Sequence, residues 1–218
     1  MITKIQLQKR ATVLAADGRQ LGSLERVVLN PESNVVTNVV VRTGNLLKHE
    51  EKVVPIELIA ETADHQILLR EEAGDLEGFP VFEERRLVEE YGGRNRPGSS
   101  GSTTPVVNGF SVMSAPMVSA HDGRMITHIE QNIPEGTVAM KEGAKVVSAD
   151  GKLVGVVERV LAEPTAEQIT NLLVSKGLLV KNAKLIPIQW VMSMGEDEVR
   201  LRVSRESVED LNDLPIAE

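Results

Sequence analysis

The sequence predicts a mostly β protein made of two tandem small β-barrels, with short helices at the ends of the repeats. Three observations lead to this prediction. The chain repeats itself, each copy has the pattern of short strands joined by tight turns, and a segment rich in Gly, Ser, Thr and Pro separates the copies. The 218 residues are enough for two domains of about 100 residues each.

The internal repeat is visible by direct comparison of the two halves. Residues 13–22 match residues 146–155 at an offset of 133, and the copies share an Asp-Gly pair, a Glu-Arg-Val triplet, a Pro and a Thr-Asn pair. Over 13–48 the copies are identical at 15 of 36 positions, and after one deleted residue at four of 16 over 55–70. Chance would give about three of these matches, so the pattern indicates a duplication.

Composition divides the chain into four segments. Residues 94–109 form a predicted linker that is rich in Gly, Ser, Thr and Pro. These residues bury too little apolar surface to offset the entropy lost when a chain becomes ordered, so we expect the linker to be mobile and the first site of proteolysis. The turn His121-Asp122-Gly123 between two short apolar runs predicts a hairpin that the first copy lacks. The predicted segments are a first barrel with a C-terminal helix (1–93), a flexible linker (94–109), an extra hairpin (110–135) and a second barrel (136–218).

Each repeat begins with a predicted hairpin. Asp17-Gly18 and Asp150-Gly151 stand between extended runs, and Asp-Gly favours the two-residue turn whose central residues both need positive φ. The strand after each turn carries an early glycine, Gly22 or Gly155, where we expect a bulge or a sharp bend.

The remaining elements follow from residue alternation and from β-branched residues. Helical spacing of apolar residues predicts two short helices, over 82–91 and 204–211. The predicted strands cover residues 21–29, 35–42, 53–54 and 66–70 in the first repeat, and residues 153–162, 168–175, 185–186 and 198–203 in the second.

The order of these elements resembles the PRC-barrel family. The shared pattern is a strand, an Asp-Gly hairpin, Leu/Val-Gly, Glu-Arg-Val, Pro, Thr-Asn followed by β-branched residues, Gly, and Val-Val-Pro or Leu-Ile-Pro, over about 10–80 and about 143–215. The family's barrel occurs in the photosynthetic reaction centre H subunit and in the C-terminal half of the ribosome maturation factor RimM. The membrane helix of the first and the N-terminal barrel of the second are missing here. The resemblance implies a scaffold that binds a partner.

Overall composition excludes several classes of function. A net charge of -8 and only five aromatic residues argue against nucleic acid as a partner. The absence of cysteine excludes disulfides, thiolate nucleophiles and Cys-rich metal sites, and is compatible with a reducing cytoplasm. The first ten residues lack the apolar core of a signal peptide, and no apolar run is long enough to span a membrane. We therefore expect a cytoplasmic protein.

The sequence contains candidate catalytic and metal-binding residues, but simpler structural roles also account for them. Paired carboxylates at Asp17 and Glu25, repeated at Asp150 and Glu158, could share a proton or a metal, but the turns alone explain the aspartates. A hydrolase-type or metal site would centre on the residues of the extra hairpin that carry titratable groups, which are His121, Asp122 and His128. They do not complete a zinc shell, and the chain has no nucleophile elbow, phosphate loop or dinucleotide fingerprint. The prediction is no catalytic, cofactor-binding or metal site.

The predicted partner-binding residues are the leucines of two apolar tips, Leu46, Leu47, Leu178 and Leu179. Consecutive residues of an extended tip cannot all face one small core, so we expect some of them to contact a second protein or subunit. The alternative is that they fold over the mouth of their own barrel or pack against the other repeat. Trp190, which aligns with Leu58 in the first repeat, is expected in the core.

The predicted function is that of a non-enzymatic adaptor or scaffold that binds a protein partner or itself, with no cofactor and no identified small-molecule substrate. Two alternatives come from other classes. One is an enzyme at the extra hairpin, and the other is a ribosome-assembly factor by analogy with RimM, although a shared fold does not fix function.

Overall fold

The computed structural model describes residues 5–44, 49–63, 65–90, 124–176 and 182–215, and strands dominate this part of the chain. Two compact units are present. One consists of Met1–Glu84 together with Gln131–Glu218, and the other is Arg85–Glu130. Both predicted barrels fall mainly in the first unit. Among the described residues, no helix has the length and apolar character needed to cross a bilayer.

The first repeat contributes seven strands and two 3-10 turns. The strands are β1 (Ile5–Gln8), β2 (Thr12–Leu14), β3 (Gln20–Asn30), β4 (Val35–Gly44), β5 (His49–Pro55), β6 (Ile59–Ala63) and β7 (Gln66–Leu69), with 3-10 turns at Ile56–Leu58 and Glu71–Ala73. Strands β2 to β7 form the first sheet in the order β5-β4-β3-β2-β7-β6. Its pairs are antiparallel except β2 with β7, which is parallel.

Two strands between the repeats pair with each other. They are β8 (Glu83–Glu90) and β9 (Arg124–Gln131), which form a two-stranded sheet. The helix predicted over 82–91 is therefore wrong. Leu87, Val88 and the residues around them also fit an extended strand, and pairing with β9 outweighs a weak helical preference. The described partner of β9 is β8, whereas the turn predicted at 121–123 lies outside the described residues.

The second repeat contains the remaining elements. They are β10 (Val138–Lys141), β11 (Lys145–Val147), β12 (Leu153–Ala162), β13 (Ile169–Ser175), β14 (Asn182–Pro187), a 3-10 turn (Ile188–Trp190), β15 (Val191–Met194), β16 (Glu198–Leu201), α1 (Arg205–Glu209) and β17 (Asp213–Pro215). The second sheet has the order β15-β16-β11-β12-β13-β14-β17. Helix α1 lies within the predicted range 204–211, and Ser204 caps it by accepting a hydrogen bond from the Ser207 N–H.

The first strand of each repeat pairs with the sheet of the other repeat. Strand β1 lies antiparallel to β12, with Ile5 opposite Ala162, and β10 lies antiparallel to β3, with Val138 opposite Leu29. Adding the repeat offset of 133 to Ile5 and Leu29 gives Val138 and Ala162. The exchange is thus reciprocal, with the same register in both directions.

A second contact between the repeats is also reciprocal. The Val36 N–H donates to the Glu167 carbonyl (2.9 Å), and the Ile169 N–H donates to the Asn34 carbonyl (2.8 Å). These pairs are again related by the offset of 133. Asn34 and Glu167 both have positive φ, 59° and 53°, and in this conformation each turn presents its carbonyl to an N–H group of the other repeat.

The strand exchange explains why the sheets differ from the predicted barrels. Among the described residues neither sheet closes into a barrel, because its end strands are not paired with each other. One edge of β3 is shared between β2 and β10, and one edge of β12 is shared between β11 and β1. The edge of β3 through which the first sheet could close on itself is therefore partly occupied by β10 of the second repeat. In the same way, β1 of the first repeat occupies part of the edge of β12.

The main core extends across both repeats. Leu24 and Val27 of β3 belong to the same buried cluster as Val157 and Val160 of β12. Trp190 is half-buried and packs at the margin of this core, as does Leu58, its counterpart in the first repeat. Continuous burial across the exchanged strands makes the two repeats one folding unit.

Candidate functional site

The face of the first sheet that points away from the main core carries a second buried cluster. Val40 and Val53 lie opposite each other on β4 and β5, and Val28 and Phe82 pack beside them. All four side chains are almost completely buried. The Arg26 guanidinium covers the Phe82 ring, with its carbon 4.6 Å from the ring centroid, so a cation–π contact closes this cluster.

A short segment before β10 completes the cover. The Asn132 N–H donates to the Phe82 carbonyl (2.9 Å), and the Asn132 side-chain amide donates to the Val81 carbonyl (2.7 Å). Ile133 packs against the cluster and is itself half-buried. The outer face of the first sheet is therefore closed by the chain itself.

The matching face of the second sheet is more open. Its leucines occupy the positions of the buried residues of the first sheet. Leu161, Leu173 and Leu185 align with Val28, Val40 and Val53 in the repeat. The strand register places Leu214, which follows Asp213 opposite Lys184, at the position of Phe82, which follows Val81 opposite Lys52. Leu173 and Leu185 lie opposite each other, as Val40 and Val53 do. Leu161, Leu173 and Leu185 are only half-buried, and Leu214 is 38% exposed. We call these four residues the leucine surface.

The arginines beside the two faces have different partners. Arg26 forms ion pairs with Glu51 (3.4 Å) and with Glu196 of the second repeat (2.6 Å), whereas Arg159 donates to the side-chain carbonyls of Gln6 and Gln8, both at 2.6 Å. Gln6 and Gln8 lie on the exchanged strand β1. Each arginine therefore contacts an element of the other repeat, which ties the outer faces to the strand exchange.

The boundary between the repeats contains one strongly perturbed carboxyl group. The Glu142 carboxylate accepts a hydrogen bond from the Arg10 N–H, and the Glu142 N–H donates to the Glu25 carbonyl (3.2 Å). Burial raises the pKa of Glu142 to about 7, and the nearby Glu25 charge adds to the rise, while Arg10 and Lys9 oppose it. The charge of this carboxyl group, at a contact between the repeats, is therefore expected to change near neutral pH.

A cavity of about 330 Å³ opens between α1 and the second sheet. Val154, Val174 and Val208 form its apolar lining, and its charged residues are Lys176, Lys184, Arg205, Glu209 and Asp213. Glu209 pairs with Arg205 (2.9 Å) and Lys176 (3.4 Å), and Lys184 pairs with Asp213 (2.9 Å). Because the charges on its wall pair with one another, the cavity does not define the chemistry of a ligand.

The aspartates of the two hairpin turns, Asp17 and Asp150, are held by hydrogen bonds and ion pairs with nearby residues. Arg19 lowers the pKa of Asp17 through its side chain and its N–H, and the two groups form an ion pair (2.7 Å). Hydrogen bonds from Ser148, Lys152 and the Arg205 N–H lower the pKa of Asp150. Both carboxyl groups are held in the charged form, which is the opposite of what a shared-proton pair requires.

The structure does not reach most of the predicted candidate residues. Leu46, Leu47, Leu178 and Leu179 lie outside the described residues, as do His121 and Asp122, and His128 lies on β9. His49 and His65 are exposed. Within the part of the chain that the structure describes, no group of three or more His, Asp and Glu side chains is arranged to hold a metal ion.

Comparison with known families divides the chain in the same place as the repeat. Residues 9–76 match the model of the PRC-barrel domain, and residues 140–209 match the model of a family described as an uncharacterized protein conserved in bacteria (DUF2171). Each model covers about a third of the chain. No curated protein matches the sequence. The first repeat therefore contains a PRC-barrel domain, and the second contains a DUF2171 domain.

The leucine surface was missed in the sequence analysis, although the alignment of the repeats carries its signal. Val28, Val40 and Val53 align with leucines, so both copies keep apolar residues at positions that alternate away from the main core. An apolar residue on the outer side of a strand needs a cover. The sequence alone does not show which of the two copies has a cover. Among the described residues, a covering segment is present over the first copy.

Proposed function

We propose that the protein is a duplicated PRC-type module that acts as a non-enzymatic adaptor and binds a protein partner through the leucine surface. The observation that supports the proposal most directly is the contrast between the two outer faces. Four positions that are buried in the first sheet are half-buried or exposed in the second, although larger side chains occupy three of them. Partly exposed leucines on one face of a sheet are what a protein interaction site would offer.

The duplication is supported by the contacts between the repeats. The exchanged strands and the Asn34 and Glu167 turns form pairs that the offset of 133 relates to one another. Such pairs are what an approximate twofold axis between two copies of one module would produce. The rigid body that results would hold one closed face and one open face in a fixed relation, as an adaptor requires.

The tip leucines belong to the same proposal. Leu46, Leu47, Leu178 and Leu179 remain predicted contacts with a partner or a second copy. Replacing Leu46 or Leu179 by Asp in the full chain is expected to weaken partner binding or self-association without lowering the thermal midpoint of unfolding. Unchanged binding together with a lower midpoint would show that these leucines are core residues.

The experiment for the adaptor function compares proteins retained from native cell lysate by the wild-type chain and by Leu185→Glu. Leu153→Glu is the matched control, because Leu153 is 55% exposed and lies outside the leucine surface. The proposal expects a specific protein that the wild type and L153E retain and L185E loses, with circular dichroism showing that all three chains are folded. The same set of retained proteins for all three would contradict it.

A further inference from the structure

The surface through which the repeats pair is equivalent on both of them. Each repeat presents a first strand, β1 or β10, and a strand edge that receives one, on β3 or β12, and the two pairings have the same register. An interface in which the same patch contacts its counterpart is what joins two separate copies in a symmetric dimer. The pairing surface of one repeat therefore fits an equivalent repeat, whether or not that repeat belongs to the same chain.

The strands that pair the repeats all lie in the first compact unit, whereas residues 85–130, which connect the repeats, form the second. The predicted linker, 94–109, lies in this connection. Pairing between the repeats of two chains would use the same strands in the same register. It would lose only the advantage of the covalent connection, which for a short flexible linker corresponds to an effective concentration of about 1 mM. A second copy is therefore expected to compete at high protein concentration.

Charged residues lie where the exchanged strands end. Lys9 directly follows β1 and Glu142 directly follows β10, and the two positions are equivalent in the repeat. The Lys9 N–H donates to the Glu158 carbonyl (2.9 Å), as the Glu142 N–H donates to the Glu25 carbonyl (3.2 Å). All four residues are half-buried. The Lys9 ammonium group lies beside the segment that carries Glu142, because a Cβ atom at Gly143 would be 3.1 Å from the Lys9 Nζ.

These charges distinguish the pairing of unlike repeats from the pairing of like repeats. Burial is the main cause of the raised pKa of Glu142, the Glu25 charge adds to it, and the Lys9 charge opposes it. A first and a second repeat thus bring one ammonium group to three carboxylates. Two second repeats would bring together Glu142 and Glu158 of both copies, and such like charges repel one another strongly where they are partly buried. A closed dimer that paired the first repeats with each other would also have to pair the second ones.

We propose that the pairing surface also joins two copies of this chain at high protein concentration, with β1 of one copy on β12 of the other, and that Lys9 and Glu142 restrict the pairing to a first and a second repeat. The dimer contains two such pairings, so each copy completes the sheets of the other. This inference goes beyond the adaptor function and does not depend on it, because it uses strands and charges at the boundary between the repeats and not the leucine surface.

The test mixes two full-length variants, Lys9→Glu and Glu142→Lys. K9E alone collects four carboxylates at the boundary, whereas each pairing in a mixed dimer of K9E with E142K again holds one ammonium group and three carboxylates. The chains are mixed in urea and returned to buffer at pH 8, at about 0.3 mM protein so that a second copy competes with the covalent connection. One variant is labelled with ¹⁵N, and native mass spectrometry is expected to show a dimer that contains one chain of each kind.

The matched control mixes the wild type with the double variant K9E/E142K, which contains the same substitutions in the opposite combination. A mixed dimer would here place four carboxylates in one of its pairings, so we expect at least about tenfold less of it. Circular dichroism shows whether K9E folds alone, and if it does not, its folding in the presence of E142K is the expected result. Only monomers from the mixture of K9E and E142K, or as much mixed dimer in the control, would overturn the inference.

Discussion

At the scale of single residues, a buried carboxyl group at the boundary between the repeats is expected to make the stability of the fold depend on pH. Glu142 is the clearest case, because burial between β3 and the exchanged strand raises its pKa from 4.5 to about 7. In this interval the folded state holds a proton that the unfolded state releases. Stability therefore falls as the pH rises from about 4.5 to about 7, since the folded state binds more protons.

Replacing Glu142 by Gln should remove this loss. Gln keeps a carbonyl oxygen for the Arg10 N–H and carries no charge to desolvate. We expect E142Q to be more stable than the wild type by about 1 to 2 kcal/mol at pH 8, after discounting for partial exposure, and equally stable at pH 4. Urea unfolding at the two pH values measures the difference, with the exposed Glu163→Gln as control. A constant difference at both pH values would show that Glu142 does not titrate in this range.

At the scale of the strands, the two hairpins show what local sequence can predict. The Asp-Gly turns predict the pairs β2 with β3 and β11 with β12, and both pairs form. Gly22 and Gly155 were expected to permit bulges, and the register shifts beside each of them. A Cβ atom at Gly155 would lie 2.0 Å from the Ser175 carbonyl oxygen, so neighbouring strands approach here too closely for any side chain.

Gly155→Ala is therefore expected to destabilise the protein strongly, by about 3 kcal/mol or more, because the backbone of β13 cannot yield as a side chain can. Gly78→Ala is the control, since a Cβ atom there meets nothing within 4 Å. Thermal or urea unfolding distinguishes the two variants. Equal stabilities would mean that β12 and β13 lie further apart than described.

Other elements could not be predicted because their form depends on distant contacts. Strand β8 has no strong pattern of its own, and β9, more than 30 residues later in the chain, makes it extended. The exchange of β1 and β10 was also missed. Both strands have the same position in their repeat, and the hydrophobic pattern does not tell whether a strand pairs with its own copy or with the other.

The leucine surface shows the same limit for the site. The sequence predicted strands that contain Leu161, Leu173 and Leu185, but it did not assign these leucines to a face of the sheet. An apolar residue in a short strand can point to either face. Whether such a face is buried depends on which segment covers it, and the segment around Ile133 comes from a connection outside the repeat. Comparison of the two sheets, and not the pattern of either, defines the candidate site.

The strand exchange joins the two repeats, which belong to the same compact unit, into one body. The predicted linker, 94–109, is the expected site of the first protease cut, and the resulting fragments would each hold one strand of the other's sheet. We expect the two fragments to elute together from a size-exclusion column without denaturant and to separate in urea. Fragments that separate without denaturant would mean that the repeats are independent barrels.

The most direct test of the account is to observe the exchanged strands in solution. Nuclear Overhauser contacts between backbone protons identify paired strands, and the repeat offers a defined alternative for each pair. The exchange predicts contacts of residues 5–8 with 159–162, and of residues 138–141 with 26–29, in a protein that sedimentation shows to be monomeric. Contacts of residues 5–8 with 26–29, and of 138–141 with 159–162, would contradict the exchange and with it the single rigid body.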